Sequence, residues 1–199
     1  MLSFRSKNNK AIEALTTNLL QSHSARVFRE SQWDSDLFAA IRATENTDFL
    51  NQYLAFQDQL VNLVDDMPWT IEQEISALQA YFNLWNLTNQ SISLKLEASK
   101  VIFSTAIKPL ILFPLLKNSI QLGYHGMELY PIKVNIKASE SFLQVDISNR
   151  VNHYIENQAG NKTLNLFEDR LKHHYSDQYH LIYNSNSNIF KVHLAITRS

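Results

Sequence analysis

An α/β sandwich, with a mixed sheet covered by helices on one face, is the fold class this sequence predicts. Two features carry the prediction. No glycine or proline occurs in the first 67 residues, where apolar residues recur at helical spacing. Beyond residue 89 the apolar period drops to two in several stretches, and helix-spaced segments interrupt them twice. Composition agrees: 199 residues, 45% hydrophobic and 19% charged, suffice for a proper core and argue against disorder.

The elements follow in order. Ile12, Leu15 and Leu19 begin a helical stripe, and Trp33, Leu37, Phe38 and Ile41 resume one. Phe49, Tyr53, Phe56, Leu60 and Leu63 are spaced four, three, four and three, a heptad seam flanked by Leu50, Leu54, Val61 and Val64. Such a seam predicts a homodimer or a closed bundle. Pro68 ends this section, and Thr70 with Gln73 predicts a capping box for a helix carrying Ile71, Ile75, Leu78, Phe82 and Trp85. Ile92, Leu94 and Leu96 alternate as a strand, and VIFSTAI (101–107) reads as a second short one. A helix holding Asn118 ends at Gly123. A hairpin spans 131–138 and 142–148, followed by a polar loop over 150–162. Leu164, Phe167, Leu171 and Tyr175 mark another helix, and strands at 179–184 and 189–196 close the chain.

Several function classes fall away. The net charge of -1, from 18 basic and 19 acidic residues, comes with no basic block, which argues against nucleic acid. Without cysteine there is no disulfide, thiolate metal site or cysteine nucleophile. PLILFPLL (109–116), the longest strongly apolar run, is far short of the ~20 residues of a membrane span. The start, MLSFRSKNNK, lacks the pattern of a signal peptide, so a cytoplasmic protein is expected. The seven histidines form no metal-binding spacing, Asp65 and Asp66 read as a helix end, and no phosphate loop or nucleophile motif occurs. One residue is anomalous. Asn118 shares a helical stripe with Ile111, Leu115 and Leu122, where a buried, unpartnered amide costs roughly 1–3 kcal/mol.

Four segments carry a resemblance that addresses this residue. WTIEQEISALQAYFNLWNL is similar to the Thr-x-x-x-E-x-x-x-x-x-x-Tyr helix that precedes the ATPase module of LytS-type sensor histidine kinases. IKPLILFPLLKNSIQLG resembles that family's I-P-P-x-x-L-x-P-L-V-E-N-A-I-K-H-G segment, the N box. FLQVDISN looks like the strand leading to the adenine-contacting position, and LFEDRLKHHYSDQYHL like the N-V-x-x-R-L-x-x-x-Y helix and its following strand. The resemblance covers about residues 67–196 in family order. It implies a GHKL-type ATPase domain over 67–199, preceded by a helical dimerisation and phosphotransfer-like region over 1–66.

On this resemblance Asn118 is the magnesium position beside the ATP phosphates, and Asn149 the adenine position. The departures bear on activity. Lys117 replaces the acid that helps activate the attacking histidine, and Gln121 and Leu122 replace a basic pair. An ammonium in place of a carboxylate reverses the local field and cannot act as a base while protonated. The second glycine box corresponds to GNKTLNL (160–166), where Gly160 remains but Asn161 and Thr163 replace glycines and Leu166 an asparagine. A β-branched Thr163 resists the backbone freedom that a phosphate lid needs. The histidine nearest the phosphoacceptor position is His23, without the family's flanking residues. The resemblance therefore implies a degenerate, homodimeric relative acting through protein contacts, with a kinase or response regulator as partner. No cofactor is then expected, and ATP with magnesium only where the pocket still works. The alternatives are an active autokinase using His23 and Asn118, and an unrelated α/β ligand-binding or structural protein.

Overall fold

Pro68 marks the place where helices alone give way to helices and strands. The computed structural model describes residues 2–88, 92–101, 104–123, 130–152 and 162–197. Helices α1 (Leu2–Gln32), α2 (Ser35–Arg42) and α3 (Thr47–Val61) come first. Short caps start the second and third: Asp34 accepts from the Asp36 and Leu37 N–H groups, and Asn46 from those of Asp48 and Phe49. Strand β1 (Trp69–Thr70) runs straight into α4 (Ile71–Asn86), where Thr70 and Gln73 form the reciprocal capping box. Then come β2 (Leu94–Val101), β3 (Ala106–Ile107), α5 (Phe113–Leu122), β4 (Ile132–Ala138), β5 (Phe142–Arg150), α6 (Lys162–Tyr175), β6 (Tyr179–Ser185) and β7 (Ile189–Thr197).

The five-stranded sheet has the order β2-β4-β5-β7-β6, parallel between β2 and β4 and antiparallel elsewhere. Strand alternation sorts its faces. Val134, Ile136, Val145, Ile147, Val192 and Leu194 are all buried on the side where α5 and α6 pack. Lys133 and Lys191 stand exposed on the other. The two-layer α/β architecture predicted from periodicity is the one found.

Three local expectations are sharpened. Of the two readings of the heptad seam the closed bundle fits, since Tyr53, Phe56 and Leu60 are buried inside the chain itself. Phe38 lies 5.4 Å from the Tyr53 ring and Tyr81 6.3 Å from Phe56, so α2 and α4 already cover that stripe. The 101–107 stretch is not one strand: Val101 ends β2, whereas Ala106 and Ile107 pair with β1. And α6 begins at Lys162, inside the stretch read as loop.

The backbone at 109–112, just ahead of α5, is held by two buried charges from opposite sides. Leu110 takes a φ of 55°, a left-handed conformation that a branched side chain disfavours. Glu74, fully buried on α4, accepts from Leu110 N–H (2.8 Å), Leu112 N–H (2.7 Å) and the Trp69 indole (2.8 Å). Its charge lies beside the N-terminus of α5, where the helix dipole favours an anion. Burial pushes its pKa up to about 7, against the pull of those donors and Arg170. From the other side Arg170, fully buried on α6, donates to the Leu110 carbonyl (3.1 Å), the Pro109 carbonyl (2.6 Å) and Asp65 (2.7 Å). Asp65 also meets His174 Nε2 at 3.0 Å and accepts from the Ser24 hydroxyl at 3.1 Å, which ties in α1.

Burial raises the Asp65 carboxyl, but His174 and Arg170 outweigh it and hold the group well below its ordinary 3.8. Its contribution to stability is therefore present above pH 3.8 and is lost as pH falls toward the depressed native value. Asp65→Asn removes that contribution. Urea unfolding should show the stability gap between wild type and variant narrowing as pH falls from about 5 to about 2.

Candidate functional site

Helix α5 presents two adjacent stripes, and the candidate site residues divide between them. Pro114, Lys117 and Gln121 face the junction of α1 and α2. Leu115, Asn118 and Leu122 form the neighbouring stripe, 100° around the helix axis for each residue step. A cavity of about 400 Å³ lies on the first side, lined by Glu30, Trp33, Lys117, Gln121 and Thr163 among others. Lys117, Gln121 and Thr163 are thus brought together. Asn118 and Asn149 do not line that cavity. Gly160 lies outside the described residues, as do His125 and His153.

Lys117 is the most constrained of these groups. It is only 9% exposed, and its Nζ donates to the carbonyls of Glu30 (2.5 Å) and Trp33 (2.8 Å). Those carbonyls belong to the last turn of α1 and the residue just beyond it. A helix C-terminus carries partial negative charge and unpaired acceptors, so an ammonium is the complementary group there. The Tyr81 ring lies 5.8 Å from Nζ. Burial pushes the Lys117 pKa down to about 8, with Asp34, Glu30 and Asp36 opposing. Asp34 is itself fixed by Tyr81, whose hydroxyl donates to it at 2.5 Å, while Gln121 donates to Asp36 at 3.2 Å. The α1–α2 junction is therefore bonded to Lys117 and Gln121 of α5.

On the other stripe Asn118 is 2% exposed, which answers the question its position raised: the amide is inside, not at the solvent edge. Asn149, at the end of β5, is 4% exposed; its Nδ2 donates to the Arg150 carbonyl while Oδ1 is buried without a partner. Gly123 bridges to Val151, and a Cβ there would fall 2.3 Å from the Ser119 carbonyl oxygen and 3.3 Å from Asn149 Nδ2, so the close fit at the end of α5 needs glycine. The orphaned Asn149 oxygen suits an amine donor such as a base would bring. The Lys117 ammonium, spent on α1 carbonyls, does not suit phosphate, so the residues present match a nucleotide only in part.

His23 stands on α1 with Nδ1 2.5 Å from Asp169 on α6, and its side chain is 28% exposed. Ser24, His174 and Asp65 resemble a nucleophilic triad by composition only. Ser24 Oγ and Asp65 Oδ2 both meet the same nitrogen, His174 Nε2, each at 3.0 Å, whereas a relay needs the two ring nitrogens separately. Among the described residues no group of three or more His, Asp or Glu could hold a metal, and no helix is long and apolar enough to cross a membrane. The quoted family motifs fall on Glu74 and Tyr81 in the first helix and on Arg170 in the last, but sequence reasoning gave these residues no role, and it passed over Asp34. The signal was a charge on an apolar stripe: Glu74 sits between Ile71 and Leu78, and Arg170 follows Phe167 by three.

No family model matches the chain, and no curated protein sequence does. Solved structures do. The histidine kinase AdeS of Acinetobacter baumannii aligns over 92% of this chain and 94% of that one, at 11% identity and a TM-score of 0.50. A bacterial phosphotransferase aligns over 88% and 95%, at 8% identity and a TM-score of 0.54. The fold is that of histidine kinase ATPase-like domains. Within that fold the mixed sheet, the covering helices and the long leading α1 have their counterparts, and an unrelated α/β architecture is set aside. Placing an acid at position 117 is the informative change. Lys117→Glu should destabilise the protein by about 3–5 kcal/mol, because a buried carboxylate would face two carbonyl oxygens. Lys117→Met, which only leaves acceptors unpaired, should cost about 1–3 kcal/mol. Thermal and urea unfolding of both variants check the order.

Proposed function

We propose that this chain is a signalling protein of the two-component type that keeps the kinase scaffold without phosphotransfer. It acts in the cytoplasm by protein contact, as a homodimer, on a kinase or response regulator. Residues 1–66 serve as the dimerisation and phosphotransfer-like region and 67–199 as the ATPase-like domain. One observation carries this reading: Lys117, at the position of the activating acid, is buried in hydrogen bonds to the end of α1. An ammonium so placed neither activates a histidine nor leaves the α1–α2 junction free to move over the site. Asn118, Asn149, Gln121, Gly160 and Thr163 are then remnants of a nucleotide site, with no magnesium held at Asn118.

A second reading, an active autokinase, has its own support. The His23–Asp169 pair orients one ring nitrogen and leaves the other for a phosphoryl group, and the Asn149 oxygen awaits a donor. Ligand-linked stabilisation separates the two. Millimolar ATP with magnesium should leave the melting temperature of the wild type unchanged, since stabilisation follows RT ln(1 + [L]/Kd). A rise of several degrees that Asn118→Ala abolishes would favour the autokinase.

The dimer contact moves with the buried seam. On α1, Ile12, Leu15 and Leu19 are 61%, 69% and 54% exposed and spaced three and four, a stripe with the geometry of a coiled-coil partner. Light scattering should give a dimer for the wild type and a monomer for the Leu15→Asp, Leu19→Asp double variant. A wild-type monomer at high concentration would remove the dimer from the proposal.

A further inference from the structure

The face of the sheet opposite the helices carries a second concavity, away from α5. It measures about 600 Å³ and runs across all five strands. Register places Lys95 beside Lys133, Lys133 beside Ser148, Ser148 beside Lys191, and Lys191 beside Asn184. One wall of the groove is therefore a row with three lysines. Like charges in register destabilise a sheet, so a plain solvated face alternates its signs instead. The opposite wall is the next row: Glu97, Asn135, Asp146, His193 and Ile182.

The acids of that second row are engaged by side chains of the same face. Glu97 pairs with Lys95 at 2.7 Å, and Asp146 meets His193 at 2.7 Å and accepts from Gln144 at 2.9 Å. Lys133 and Lys191 have no such partner among the described residues. Between the acids, Asn135 Oδ1 is buried with no hydrogen-bond partner. The groove thus offers two ammoniums without a direct salt-bridge partner among the described residues, two strand intervals apart, about 10 Å.

We propose that this open face is a docking groove for an acidic, extended segment of a partner protein. Its carboxylates lie on Lys133 and Lys191. The charge row selects an acidic partner, and the length of the groove, about 19 Å over four strand intervals, suits a chain rather than one small anion. No Phe, Tyr or Trp is among the lining residues, and the one ring present, His193, is held by Asp146, so the groove lacks the row of stacking rings that single-stranded nucleic acid uses. The inference stands apart from the nucleotide question, because no residue of the N-box region lines the groove.

Fluorescence anisotropy tests it with the full chain and a fluorescein-labelled Glu/Asp-rich peptide of about 12 residues, long enough to cross the sheet. The wild type should bind, more weakly as salt rises. Lys133→Glu with Lys191→Glu should weaken binding at least about tenfold, and Lys172→Glu, exposed on α6, should leave it unchanged. Lys133→Gln with Lys191→Gln repeats the test should the charge reversal disturb folding. Absence of peptide binding, or binding indifferent to both double variants, overturns the proposal. So does an oligothymidylate of the same length that binds equally well through the same lysines.

Discussion

Two buried charges hold one strained loop, and most of the molecule is arranged around them. Glu74 takes the N–H groups of Leu110 and Leu112, and Arg170 the carbonyls of Pro109 and Leu110. Between them they fix the left-handed Leu110 and the entry of α5. Neither charge would be tolerated inside the protein alone, since an isolated ion in the interior costs several kcal/mol. The backbone groups and Asp65 supply the compensation. The consequence is that α4, α5 and α6, distant in sequence, share one polar centre under an otherwise apolar layer.

That centre also determines where α1 lies. Asp65 links Arg170 to Ser24 and His174, Asp169 holds His23, and the Arg170 guanidinium lies 5.3 Å from the Phe28 ring. Farther along, Lys117 closes the last turn of α1. The leading helix is thus fastened at three levels to the domain that follows it. We propose that this attachment, rather than phosphate chemistry, is what position 117 serves, and that the exposed Ile12, Leu15 and Leu19 are left for a second copy.

Much of this was legible in the sequence, and the exceptions have physical causes. Period and punctuation gave the helices, the strands, the Thr70–Gln73 cap and the layer order, because these depend on local spacing. The heptad seam at 49–63 left a dimer and a closed bundle equally open, because spacing reports that a face is covered, not by what. VIFSTAI was split because β pairing is a nonlocal choice, made here by Trp69 and Thr70. At the site, Lys117 and Asn118 stood out as adjacent oddities, but their separation onto two stripes with different neighbours needed α1 in place. Glu74 and Arg170 were visible as charges on apolar stripes. Their common target, a backbone loop with no side-chain signature, was not.

The central claim is that the scaffold survives without phosphotransfer. Incubating the purified chain with radiolabelled ATP and magnesium addresses it directly. The account predicts no acid-labile label on wild-type protein. Label that appears on the wild type and disappears in His23→Ala would contradict it.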